Sequence, residues 1–106
     1  MMRNSWEVWW AYVKFEDSNE VKKRPVLVLE DRVSYILSLK ITSHVPRKNF
    51  YGEYQLLQWE KAGLSKPSVV RISKALYLEE RDFGNKIGKL TDADIYEIQK
   101  LLSGRQ

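Results

Sequence analysis

The sequence predicts a small, mainly β domain: a barrel of short strands carrying one helix at its C-terminal end. Three observations lead there. Successive segments dense in β-branched and aromatic residues are separated by polar loops. Only the C-terminal stretch repeats its apolar positions at helical spacing. The length, 106 residues, fits a single domain spanning 1–106, and 43% apolar residues can build its core.

Glu7 to Phe15 (EVWWAYVKF) reads as the first strand. Strand alternation places Val8, Trp10 and Tyr12 on one face and Trp9, Ala11, Val13 and Phe15 on the other. Both faces are apolar, so cover on two sides is expected. Glu16 to Lys23 is a polar loop. Pro25 then opens the apolar run Val26 to Leu29, a position where its missing N–H does least harm to a ladder. Residues 34–42 (SYILSLKIT) alternate, with Tyr35, Leu37, Leu39 and Ile41 inward and Ser38, Lys40 and Thr42 opposite. His44 to Gly52 is a loop. A short helical turn is expected at Gln58 to Ala62, stopped by Gly63. Ser68 to Ile72 and Ala75 to Leu78 read as two short strands or one bent strand, and Asn85 to Leu90 leads into the final helix. There Thr91 is the expected N-cap, with Asp94 completing a pattern like a capping box. Ile95, Ile98, Leu101 and Leu102 form the apolar stripe, and Gly104 ends it.

Composition excludes several function classes. With no cysteine there is no disulfide scaffold, thiol chemistry or thiolate zinc site, and a single histidine argues against a dedicated transition-metal centre. No segment approaches the ~20 apolar residues of a membrane span. The N-terminal residues show no apolar signal region, so the cytoplasm is the expected compartment. The net charge is +4 and unevenly placed: residues 1–78 hold 13 Lys and Arg against 8 Asp and Glu. That excess suits a polyanionic partner, although a soluble protein can also simply be basic.

Taken in order, several short motifs resemble the MazF/PemK/Kid family of toxins from toxin–antitoxin pairs. They are Glu7-Val8-Trp9-Trp10, Arg24-Pro25-Val26-Leu27-Val28-Leu29, Ile41-Thr42-Ser43, Ser68-Val69-Val70 and the terminal helix. The resemblance covers roughly residues 5–102. It implies an SH3-like barrel of the CcdB/MazF type with a short helix and a C-terminal α-helix. It also implies a homodimer that cleaves single-stranded RNA without cofactor and is neutralised by a cognate antitoxin. The family's catalytic Arg and Thr map onto Arg24 and Thr42. Two departures stand out. Ser5 replaces the usual Gly before the first acidic residue, which would alter the first turn. Ser73, Lys74 and Leu76 replace an acidic-Gln step with a nearby Arg, leaving Arg71 and Lys74 to supply positive charge.

These residues suit the chemistry the resemblance implies. Cleavage needs the RNA 2′-hydroxyl to attack its neighbouring phosphate, with donors aimed at the developing charge. Arg24 offers a planar fork matched to phosphate oxygens, unless it merely flanks a strand and pairs with Glu30 or Asp31. Thr42 offers a hydroxyl, although a β-favouring Thr at a strand end is commonplace. His44, the sole imidazole, is a candidate proton carrier or an ordinary loop residue. Lys22, Lys23, Ser43, Arg47, Lys48, Arg71 and Lys74 are the candidate RNA contacts, though charged loops are often only solvated. Phe50, Tyr51 and Tyr54 are placed to stack bases or to pack over the barrel, whereas Trp6, Trp9, Trp10, Tyr12, Phe15 and Tyr35 read as core or dimer contacts. Two other readings compete. One is a non-catalytic barrel directed at a protein such as gyrase; the other binds nucleic acid without cutting it.

Overall fold

The structure is a computed structural model that describes residues 2–14, 19–43 and 52–103. Its strands are β1 (Glu7–Lys14), β2 (Val21–Asp31), β3 (Ile36–Thr42), β4 (Glu53–Gln55), β5 (Val69–Leu78) and β6 (Phe83–Lys89). One helix, α1 (Asp92–Ser103), follows them. The strands form one sheet in the order β4-β5-β3-β2-β1-β6, with every pair antiparallel. The mainly β class with a C-terminal helix is as expected. No ladder joins the outer strands β4 and β6. Instead the turn after β4 brings Ala62 and Gly63 against the backbone of Ile87 and Gly88 in β6. The sheet is thus an open one, not a closed barrel, with its two edges brought near each other by this packing.

The central strands are covered on both faces, as the apolar patterning of β1 and β2 foretold. One buried cluster gathers Val8, Leu27, Leu39, Ile41, Leu56, Val70, Leu90 and Ile98 beneath α1. The other gathers Ala11, Val13, Val26 and Leu78, with Trp9, Leu76 and Phe83 against it. Neighbours Val26 and Leu27 belong to different clusters, because successive side chains leave a strand on opposite sides. The same two-sided cover overturns the expected alternation in β3. Ser38 is fully buried and Ile36 nearly so, while Tyr35 lies at the surface.

Other local expectations are corrected. Asn85 to Lys89 are strand, not a lead-in, and the 3-10 turn Glu80–Asp82 precedes them. The Gln58 to Ala62 segment does make the single helical turn expected, with Ala62 N–H donating to Gln58 O, and Gly63 at φ 95° ends it before it becomes a helix. Residues 69–78 form one strand whose register against β3 slips between Leu39 and Lys40, the bend the sequence left open. The polar loop before Arg24 is shorter than expected, since Val21 to Lys23 already belong to β2. In α1 only Ile95 and Ile98 of the apolar stripe reach the core; Leu101 and Leu102 are exposed. Phe15 and Gly104 lie outside the described residues.

Asp94 does not close a capping box. It is fully buried, and its carboxylate accepts hydrogen bonds from Tyr54 Oη at 2.6 Å, Leu57 N at 2.9 Å and Gln58 N at 2.9 Å. It fastens α1 to the segment after β4. Burial, reinforced by that hydrogen bond and charge, pushes the Tyr54 phenol well above its ordinary pKa. Tyr54 is therefore tied into the fold, the packing role the sequence left open.

The first turn differs from expectation in detail. Trp6, not Ser5, takes the left-handed backbone, with φ 73°. A non-glycine residue holds that conformation only where its surroundings fix it. Here Trp6 N–H donates to Val28 O at 2.7 Å, Leu90 N–H donates to Trp6 O at 3.0 Å, and the indole packs on the core. Beside it, the buried Glu7 carboxylate accepts from Asn4, Trp9 Nε1 at 2.9 Å and Lys86 Nζ at 3.1 Å. Burial alone would raise the Glu7 pKa, but these donors together hold it below the ordinary 4.5. A carboxylate held low in the folded state binds protons more readily when unfolded. Its contribution is therefore complete above about pH 4.5 and disappears as pH falls through the lowered folded value. Glu7→Gln is expected to flatten the acid limb of a Tm-against-pH curve; an unchanged limb would show the network to be inert.

Candidate active site

The β2–β3 ladder pairs Val26 with Lys40 and Leu27 with Leu39. The ladder ends there, and Arg24 and Thr42 lie two residues beyond its last pair on their respective strands. On their outer sides, Ala11 of β1 pairs with Arg24 and Val69 of β5 with Thr42. Both residues line one cavity of about 430 Å³, together with Lys23, Pro25, Ile41 and Ser43. Trp10, Ile87 and the segment after Gly63, from Leu64 to Ser68, supply the remaining walls. Arg24 and Thr42 are each half-buried, so their backbones are anchored in the sheet while the cavity stays open.

The lining has a definite chemistry. Among the described residues it carries three cations, Lys23, Arg24 and Lys66, four hydroxyls on Thr42, Ser43, Ser65 and Ser68, and no carboxylate. Such a surface favours an anion with several oxygen acceptors. The Thr42 hydroxyl is buried and has no hydrogen-bond partner among the described residues. An unsatisfied buried hydroxyl costs ~1–3 kcal/mol, which an incoming ligand oxygen would recover. The Lys23 ammonium lies 5.6 Å from the centre of the Trp10 ring.

Two glycines hold the far wall in place. Gly63 has φ 95°, and a Cβ there would lie 2.5 Å from Ile87 O. At Gly88 a Cβ would lie 2.1 Å from Ala62 O, a backbone atom with little room to retreat. Gly88→Ala is expected to cost about 1–3 kcal/mol and to lower Tm by at least ~5 °C. A melting temperature within a degree of the parent would mean the two backbones do not meet so closely. Further along, Ser68 Oγ donates to Lys66 O at 2.8 Å and Leu56 N–H to Ser68 O at 3.0 Å, pinning the end of the segment.

Of the residues singled out from sequence, the structure brings together Arg24, Thr42, Lys23 and Ser43. Lys22 is exposed next to Lys23, outside the lining. Arg71 and Lys74 lie on β5, away from the cavity, and Arg71 Nε pairs with the Glu53 carboxylate of β4 at 3.3 Å. His44, Arg47, Lys48, Phe50 and Tyr51 lie outside the described residues. Reading the sequence missed Trp10, Ser65 and Lys66. Nothing in a Ser-Lys pair on a loop announces that it will face residues forty positions earlier; the Gly63 turn and its close fit to Gly88 were the only trace.

Comparison with known proteins agrees with this architecture. A family model described as "PemK-like, MazF-like toxin of type II toxin-antitoxin system" matches residues 4–103. No curated relative matches in sequence. Among solved structures, a mycobacterial endoribonuclease in complex with its cognate antitoxin is 14% identical, with a TM-score of 0.69 over 94% of this chain and 90% of that one. The Mycobacterium tuberculosis toxin MazF-mt6 is 22% identical, with a TM-score of 0.65 over 91% and 93%. A further Mtb toxin is 24% identical, with a TM-score of 0.61 over 78% and 92%. At such identities the structural likeness speaks for the fold, and the family model speaks for descent. With the match running over nearly its whole length, this chain belongs to the PemK-like, MazF-like toxins of type II toxin–antitoxin systems.

Proposed function

We propose that the cavity is the catalytic centre of a toxin that cuts single-stranded RNA, as an endoribonuclease working without a metal. The observation that carries this reading is the meeting of Arg24 and Thr42 in one cavity whose described lining is cationic and hydroxylic. The 2′-hydroxyl of the RNA attacks the adjacent phosphorus. The P–O5′ bond breaks, leaving a 2′,3′-cyclic phosphate and a 5′-hydroxyl end. Arg24 grips the non-bridging oxygens through its guanidinium fork as charge builds there, and the Thr42 hydroxyl donates to the same phosphate. Lys23 and Lys66 hold the flanking backbone. His44, two residues beyond Thr42 in sequence, is the candidate to carry the proton between the two oxygens.

The same surface suits an acidic antitoxin segment, which would cover the cavity and exclude RNA. Pairing of two copies would extend the groove, as the family resemblance implies, and the cytoplasm is the proposed site of action. No helix among the described residues is long and apolar enough to cross a membrane. The test is purified protein with a long RNA in EDTA. Discrete fragments with 5′-hydroxyl ends are expected. Intact RNA bound with a salt-dependent affinity would favour a non-cutting nucleic-acid module, and intact, unbound RNA a protein-directed toxin.

A further inference from the structure

Resting on that reading, we infer that Trp10 and the segment from Leu64 to Ser68 form a subsite for one nucleobase beside the scissile phosphate. A phosphate group fills only a minor part of a cavity of about 430 Å³; cavities of ~300–1,000 Å³ hold whole small ligands. The remaining wall is a flat indole with Leu64 and Ile87, bordered by the Ser65 hydroxyl. That is the chemistry a base requires, a face to stack on and donors or acceptors along an edge.

Trp10 is set apart from the other tryptophans. Trp6 and Trp59 pack on one core cluster and Trp9 on the other, while Trp10 joins neither. It is half-buried at its pairing with Pro25 and faces the cavity instead. The Lys23 ammonium lies over the ring at 5.6 Å, so a stacking base would take the place of this flexible side chain on that face or use the other. The wall from Leu64 to Ser68 is preorganised, because Gly63 and Gly88 lock its start and Ser68 its end. A rigid wall in the same cavity as an aromatic platform selects by shape. The occupant is a base of a single strand, since bases stacked inside a duplex cannot be laid on an aromatic side chain.

The test uses two 2′-O-methyl oligonucleotides of equal length, which lack the attacking hydroxyl: one of mixed sequence, the other with abasic sugars. Wild-type protein should bind the base-bearing strand about 10- to 100-fold more tightly. Trp10→Ala should bring that strand down to the abasic level and leave the abasic strand unchanged. Trp10→Phe, which keeps a ring, should retain most of the preference. Equal loss for both strands in Trp10→Ala, equal binding of both by Trp10→Phe or by wild type, or no binding of either, would each overturn the subsite. Because these strands cannot be cut, absence of cleavage in EDTA would remove the ribonuclease reading while leaving this result to stand or fall separately.

Discussion

Arg24→Ala is expected to lower the rate of RNA cleavage by at least ~10²–10³-fold, the usual cost of removing one donor aimed at developing negative charge. The reason lies in where the side chain is fixed. Its strand is paired with β1 at Ala11 and Arg24 lines the cavity, so the base of the side chain is anchored beside the site. Arg24→Lys should recover only part of the rate, because an ammonium is a point charge and cannot grip two oxygens in one plane. Stability should change little, since Arg24 is half-buried and outside both core clusters. Cleavage of one RNA in EDTA, measured beside Tm, separates the two effects. A Arg24→Ala protein cutting within threefold of the parent would remove the guanidinium from the chemistry.

The second large effect is expected at Asp94, which is not part of the cavity lining. Asp94→Ala leaves the Tyr54 hydroxyl and the Leu57 and Gln58 amides without their acceptor. Each such orphaned group costs ~1–3 kcal/mol. A loss of about 3–5 kcal/mol is expected after partial relaxation, a large share of the ~5–15 kcal/mol that holds a domain together. In a chain this short, that lowers Tm by ~15 °C or more. Cleavage should fall as well, because the segment that Asp94 ties down runs on through the Gly63 turn into Leu64 to Ser68. Tyr54→Phe should be milder, and its effect should nearly vanish in the Asp94→Ala background. Full additivity of the two substitutions would show that they do not share one network.

Strand content and the terminal helix were legible from residue order. Runs of β-branched and aromatic residues marked β1 to β3, and the family's ordered motifs named Arg24 and Thr42, which line one cavity. Two readings misplaced residues, and a third missed a partner, for a common reason. Asp94 looked like a capping residue because a cap is judged from its own helix, whereas the partners it serves lie 36 to 40 positions away. The ion pair of Arg71 went unseen because its charge was visible and its neighbour Glu53 was not. Trp10 looked like core because strand periodicity names a face without saying what covers it.

What the sequence determined by itself, then, was local: which segments extend and which one coils. Those properties depend on backbone preferences and on the spacing of apolar groups, and both can be read within a few neighbours. Only the tertiary structure decided that the cavity has a far wall, that Trp10 opens into it, and that Asp94 supports it from behind. Such facts arise from contacts between residues distant in the chain, where close packing of backbones such as Ala62 on Gly88 leaves room for one arrangement.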